Sequence, residues 1–259
     1  MAADVFTGLD IGFSSIKAVV LSHHDKQAEL VSLGSIAAPQ PGIVSDADLD
    51  LEVEAKAIKN PLTQIKAPMN KVVVALPESK IFTRVISDFP FLSDQELAAA
   101  IRYSAEEFVP LPIDQVNLTW VVINRNKQLN KTEVLVVASP KNLVNKYLKV
   151  FEMAQIKPMA LETEILAATR ALVDGNPFSP TTMIVQLGSS TTDFAIVSHG
   201  VILLTRSIVT GGVAMTRAIA QYLNFELVAA EEYKKVYGLL ADQLEGKIFQ
   251  VLKPLADVI

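Results

Sequence analysis

The chain has 259 residues, half of them hydrophobic and a fifth charged, with a formal net charge of -5. That length fits two modest domains or one large one, and the apolar share excludes global disorder. The acidic balance, with no local basic patch, argues against a nucleic-acid binder. The absence of cysteine excludes disulfides and thiolate metal sites. No apolar run approaches the roughly 20 residues a membrane helix needs. The opening Met1-Ala2-Ala3-Asp4-Val5-Phe6 lacks the basic region and apolar core of a signal peptide.

In chain order, residues 6–21 read as strand, polar turn and strand. Val31 to Ile36 reads as a third strand, running into a Pro-rich loop at 39–42. Residues 51–66 suggest a helix that stops near Pro68. Lys71 to Leu76 and Ile81 to Ile86 are β-branched strands, the second closed by Pro90. Ser93-Asp94-Gln95-Glu96 is a capping box. The helix after it carries Leu97, Ile101, Ala105 and Phe108 on one face and ends at Pro110 and Pro112. Strands at 116–124 and 133–138 flank a polar turn. Ser139-Pro140 opens a helix, with Pro140 at its first position and Leu143, Tyr147, Leu148 and Phe151 on one face. A short strand near Met159 leads into a helix over 164–173, and residues 174–180 are turn-rich, like a boundary. Strand, turn and strand recur over 182–197. Another strand at 201–209 runs into Thr210-Gly211-Gly212, and helical patterns fill the rest. Strands and helices mix throughout, so the class is α/β.

One internal similarity stands out. Leu9-Asp10-Ile11-Gly12-Phe13-Ser14-Ser15-Ile16-Lys17 aligns with Val185-Gln186-Leu187-Gly188-Ser189-Ser190-Thr191-Thr192-Asp193. Glycine falls on glycine, and hydroxyls fall on hydroxyls twice. The separation is too long for a solenoid, so it indicates a duplicated domain. Glycine and hydroxyl turns let backbone N–H groups approach anionic oxygens, and two facing hairpins would grip a polyphosphate. Asp10 at a strand end beside phosphates needs a bridging cation, which implies Mg²⁺ with waters. Lys17 could neutralise phosphate charge, and Asp193 could accept bonds from metal-bound water. Either hairpin alone reads as an ordinary turn; their pairing, with Gly211-Gly212 added, favours a site.

Other candidates carry less. His23-His24-Asp25 reads as a solvated turn, since adjacent side chains of an extended segment diverge. His199 lies in a polar turn with no partner for a nucleophilic triad. Glu106-Glu107 reads as a solvated helix face. Trp120 and the phenylalanines are spaced like core.

The two hairpins carry a family resemblance. Residues 8–17, GLDIGFSSIK, and 185–197, VQLGSSTTDFAIV, resemble the first and second phosphate motifs of the actin-like ATPase superfamily, above all those of the FtsA and PilM families. Residues 75–123 and 134–172 are similar to the PilM family, and 230–239, AEEYKKVYGL, to a helix after the double glycine in both. The resemblance covers essentially the whole chain. It implies duplicated, ribonuclease H-like domains around a nucleotide cleft, with ATP and Mg²⁺ as cofactors. It also implies an FtsA/PilM-type inserted subdomain. The expected division is a first domain over 1–80 plus 159–180, the insertion over 81–158, and a second domain over 181–259 that is incomplete at its C-terminus. By motif, Asp10, Gly12, Ser14, Ser15 and Lys17 fall in the first phosphate loop, and Gly188, Ser190, Thr191 and Asp193 in the second. Glu164 matches the acidic residue of the connecting helix. Gly211 and Gly212 match the glycine pair near the nucleotide, and Glu231 and Lys234 match the pair turned toward adenosine. Asp10, Glu164 and Gln186 take the catalytic positions, and Asp10 and Asp193 the metal positions.

Two departures qualify this. Gln186 stands where many relatives have Asp, and an uncharged amide binds Mg²⁺ poorly and is a feeble base, so at most weak ATPase activity is expected. The family's Gly-rich adenosine motif is absent before residue 259. The role the resemblance implies is a type IV pilus assembly scaffold at the inner face of the cytoplasmic membrane. Its partner would be the cytoplasmic N-terminal peptide of PilN, which pairs with PilO. Pilus motor ATPases and self-association are further expectations. An FtsA-like division protein is the alternative, and a sugar kinase lacks a candidate carboxylate base.

Overall fold

The computed structural model describes residues 4–24, 27–44, 47–173 and 180–259. The boundary read over 174–180, and Asp25 of the His-His-Asp run, lie almost wholly outside the described residues. Eleven strands and seven α-helices are described. β1 (Asp4–Ile11), β2 (Ser15–His24) and β3 (Gln27–Ala37) form an antiparallel meander. α1 (Asp48–Gln64) crosses over to β4 (Val72–Leu76), which pairs parallel with β1. β8 (Pro158–Thr163) adds parallel to β4, giving the sheet order β3-β2-β1-β4-β8. Apolar residues alternate along β1, β2 and β4, so Leu9, Ile11, Ile16, Val20, Val72 and Val74 share one buried cluster. α1 adds Leu51, Ile58 and Leu62 to it.

Between β4 and β8 the chain builds a second sheet, β5 (Phe82–Phe89), β7 (Lys131–Pro140) and β6 (Val116–Asn126), in the order β5-β7-β6. α2 (Asp94–Ala105) packs Leu97 and Ile101 onto Val134 and Val136 of β7. Its capping box is present: Ser93 Oγ accepts from Glu96 N–H, and Ser93 N–H donates to Glu96 Oε2 at 2.9 Å. α3 (Lys141–Ala154) falls within the stretch read as inserted, yet Tyr147, Val150, Phe151 and Ala154 pack into the first core. Two details of α3 depart from the sequence reading. Pro140 is the extended N-cap, not the first helical residue, and Leu148 is exposed while Val150 takes the buried place. Trp120, Phe13 and Phe91 are exposed rather than core, because β6 is a sheet edge and the others lie in turns.

α4 (Glu164–Leu172) follows β8 directly. β9 (Thr182–Leu187), β10 (Thr192–Ser198) and β11 (Val201–Ile208) form the third sheet, ordered β11-β10-β9, the same plan as β3-β2-β1. α5 (Gly212–Leu223), α6 (Leu227–Tyr237) and α7 (Lys247–Ala256) share a cluster of Ile219, Ala230, Ile248 and Leu252. By internal packing the chain divides into two units, Met1–Ile184 with Ala195–Thr205 and Val185–Phe194 with Arg206–Ile259.

Candidate functional site

The first unit holds the first hairpin. β1 and β2 pair Asp10 with Lys17 and Ile11 with Ile16, leaving 12–15 as the turn. Gly12 N–H donates to the Ser15 carbonyl at 3.0 Å. A Cβ at Gly12 would meet that carbonyl oxygen at 3.1 Å, so the turn leaves little room for a side chain. Two bonds anchor it from behind: Ala38 N–H donates to the Ser14 carbonyl, and Gln40 Nε2 to that of Phe13 at 2.7 Å. Ser14 is exposed and Ser15 half-buried. Lys17 Nζ sits 3.1 Å from Asp10 Oδ2, an exposed pair of little net stability and open to exchange for another anion.

Asp10, next to last in β1, pairs with Ala75 of β4, which in turn pairs with Glu162 of β8. Glu164 follows one residue past β8 as the first residue of α4, where Thr163 Oγ1 accepts Leu166 N–H at 3.2 Å. The carboxyl ends of three parallel strands thus present Asp10 and Glu164, the edge where open α/β sheets bind ligands. Both act on one buried side chain. Burial raises the Tyr147 hydroxyl above its ordinary value, and the charges of Glu164, Asp10 and Glu54 push it further. The sequence reading placed Tyr147 only in the core; its closeness to these carboxylates had no sequence signal.

The second unit repeats the device. Gly188 N–H donates to the Thr191 carbonyl at 2.9 Å, and a Cβ at Gly188 would meet that oxygen at 2.9 Å. The same bond thus closes both hairpins at aligned residues, as duplication predicts. The last aligned pair differs. Lys17 is exposed, whereas Asp193 is 2% exposed. Asp193 Oδ2 accepts from Thr191 Oγ1 at 3.3 Å, and its Oδ1 is buried with no hydrogen-bond partner. Ser190, Thr191 and Gln186 are half-buried.

Gly211 and Gly212 pack directly on this hairpin. Gly212 N–H donates to the Gly188 carbonyl at 3.0 Å and Val213 N–H to that of Ser189 at 2.8 Å. Thr192 Oγ1 ties the preceding turn through the Thr210 carbonyl at 2.7 Å. Gly211 has ordinary extended backbone, but a Cβ there would lie 2.7 Å from the Gly188 oxygen. Its glycine is required by close approach, not by dihedral angle. On α6, Glu231 and Lys234 face the start of α5: Lys234 Nζ donates to the Gly212 carbonyl at 3.0 Å and to Glu231 Oε2 at 2.6 Å. Burial pulls the Glu231 carboxyl upward, but bonds from Lys234 and Thr216 outweigh it and hold the group below its ordinary value. Thr216 was missed by sequence reasoning; its spacing of four from Gly212 marks only a helical threonine, and its contacts with Glu231 and Lys234 carry no local signal.

The weaker candidates stay outside these groups. His23 and His24 end β2 in pairing with Ala28 and Gln27 rather than forming a turn. His199 is exposed in the β10–β11 turn, and Glu106 and Glu107 are exposed. Among the described residues no cluster of three or more His, Asp or Glu could hold a metal by itself. Mg²⁺ bound with phosphates and waters needs only one or two carboxylates. Within the first unit Asp10 is partly exposed, and within the second the buried Asp193 Oδ1 has no hydrogen-bond partner, so each unit offers one carboxylate of the required chemistry.

A repeated sheet plan, with matched glycine hairpins and a glycine pair on the second, defines an α/β protein of actin-like fold. The chain belongs to the family described as type IV pilus assembly protein PilM, whose model matches residues 8–259. The solved structure described as a PilM-PilN type IV pilus biogenesis complex is similar, with a TM-score of 0.83 and 25% identity over 98% of this chain and 73% of that one. The ethanolamine utilization protein EutJ from Carboxydothermus hydrogenoformans shares the fold at a TM-score of 0.57 and 17% identity, covering all of this chain and 69% of that one. Cell division protein FtsA of Bacillus subtilis is 20% identical, covering 96% of this chain but 62% of its own length. The chain thus spans about 60% of that relative. No helix among the described residues is long and apolar enough to cross a membrane.

Proposed function

We propose that this type IV pilus assembly protein is a nucleotide-binding scaffold. It binds ATP with Mg²⁺ through the two glycine hairpins and captures the cytoplasmic N-terminal peptide of PilN, linking the PilN/PilO complex to the cytoplasmic motor. The observation that carries this reading is the PilM family match over 8–259, joined to the likeness to a structure described as a PilM-PilN complex. The matched Gly12–Ser15 and Gly188–Thr191 bonds support phosphate recognition by both hairpins. Asp10 and Asp193 are the proposed Mg²⁺ positions, Glu164 and Gln186 the other catalytic positions, and Gln186 keeps hydrolysis slow. Bound nucleotide would favour one conformation and so set the affinity for the peptide. Pilus motor ATPases and further copies of the chain are secondary partners on this reading, and the chain works at the membrane through PilN.

The test is calorimetric titration with the PilN N-terminal peptide from the same organism, with and without Mg-ATP. Micromolar binding that shifts with nucleotide is expected. Binding indifferent to nucleotide removes the switch, and no binding defeats the scaffold reading. Filament formation on ATP addition would favour an FtsA-like role instead.

A further inference from the structure

Thr216 lies one turn into α5 and is 7% exposed. Its Oγ1 is 2.9 Å from the Gly212 carbonyl oxygen, 2.9 Å from Lys234 Nζ and 2.5 Å from Glu231 Oε2. A helical threonine often returns its proton to the carbonyl four residues back, which would leave Thr216 with no wider role. Here that carbonyl already accepts from Lys234 at 3.0 Å. A hydroxyl has one proton, and an ionised carboxylate is the stronger acceptor. The bonds therefore run from Lys234 to Thr216 to Glu231.

This wiring changes what Lys234 can do. An ammonium has three donors, and its three acceptors here are the Gly212 carbonyl, Thr216 Oγ1 and Glu231 Oε2. Its side chain is 19% exposed against 36% for Glu231. Gly212 is held on both sides, its N–H on the Gly188 hairpin and its carbonyl on Lys234. A Cβ there would stand 3.2 Å from Lys234 Nζ, so the glycine admits the contact.

Resting on the nucleotide reading above, we propose that Thr216 is a positioning residue for nucleotide. It holds Lys234 as a strut between α6 and the phosphate hairpin, and it fixes Glu231 as the member of the pair that meets the nucleoside hydroxyls. Nucleoside recognition in this unit then depends on a single hydroxyl, while the phosphate hairpin keeps its own bonds from Gly212 N–H and Val213 N–H.

Two measurements on the full chain test this, using Thr216→Val, which keeps the shape, and Thr216→Ser, which keeps the hydroxyl. In the first, Mg-ATP and Mg-tripolyphosphate are titrated in parallel. Thr216→Val should weaken Mg-ATP about tenfold, the worth of one charge-assisted hydrogen bond, and leave tripolyphosphate within about twofold. Thr216→Ser should restore Mg-ATP affinity. Equal losses for both ligands, or no loss, would overturn the proposal. In the second, native lysines are acylated and read by mass spectrometry. Lys234 should react far more slowly than exposed Lys235 in the parent and several-fold faster in Thr216→Val. Equal rates in the parent would also overturn it. A parent that binds neither ligand defeats the nucleotide reading, while the acylation result still decides whether Thr216 holds Lys234.

Discussion

Glu54 gives the most direct test of the first unit's electrostatics. It lies on α1, is 1% exposed, and neither carboxyl oxygen has a hydrogen-bond partner. Burial alone raises it from 4.5 to about 7. Below about pH 4.5 both folded and unfolded chains hold the proton, and the group adds no pH-dependent cost. As pH rises from there to about 7, the unfolded chain ionises while the folded one keeps its proton. Stability then falls by ~1.4 kcal/mol per pH unit, reaching about 3 kcal/mol above pH 7. Glu54→Gln keeps the shape and cannot ionise, so its packing cost is constant with pH. The difference between variant and parent should therefore grow in the variant's favour by about 3 kcal/mol from pH 4.5 to pH 8. Urea unfolding followed by the fluorescence of Trp120, the single tryptophan and a member of the same unit, measures it. A difference that stays flat with pH, or slopes the other way, would refute the burial argument. Exposed carboxylates with lowered values, such as Glu96, act oppositely but cancel in the comparison.

Gly211→Ala drives a methyl against the backbone of Gly188 and Ser189, which cannot yield. It should cost at least ~2 kcal/mol in thermal melts followed by circular dichroism. Gly34→Ala meets only the Ile65 side chain at 3.0 Å and should stay within ~1 kcal/mol; similar losses for the two would contradict the close-approach account. Ser93→Ala removes the capping box of α2 and should lower stability by ~1 kcal/mol, measured by the Trp120 signal. Phosphate release from Mg-ATP should be slow, and Gln186→Asp should raise it by restoring a charged base. Parent turnover near or above ~1 per second would refute the role given to Gln186.

The hairpins, the capping box and the α/β class were written locally. A glycine turn between alternating apolar strands needs only nearest neighbours to form, which is why the Gly12 and Gly188 turns could be paired from sequence and share one hydrogen bond. The start of α2 was equally legible, because Ser93 and Glu96 satisfy each other within four residues. Three features needed the tertiary structure. The edge position of β6 exposes Trp120, since strand order is not written in a strand's own residues. Gly211 is required by the Ser189 and Gly188 backbone more than twenty residues earlier, a contact no local pattern encodes. Thr216 becomes a hub only because α6 brings Glu231 and Lys234 to it; alone it is one more helical threonine. Local periodicity fixes which face of an element is apolar, but only packing between elements decides which polar groups meet and which carboxylate, like that of Glu54, is buried without a hydrogen-bond partner.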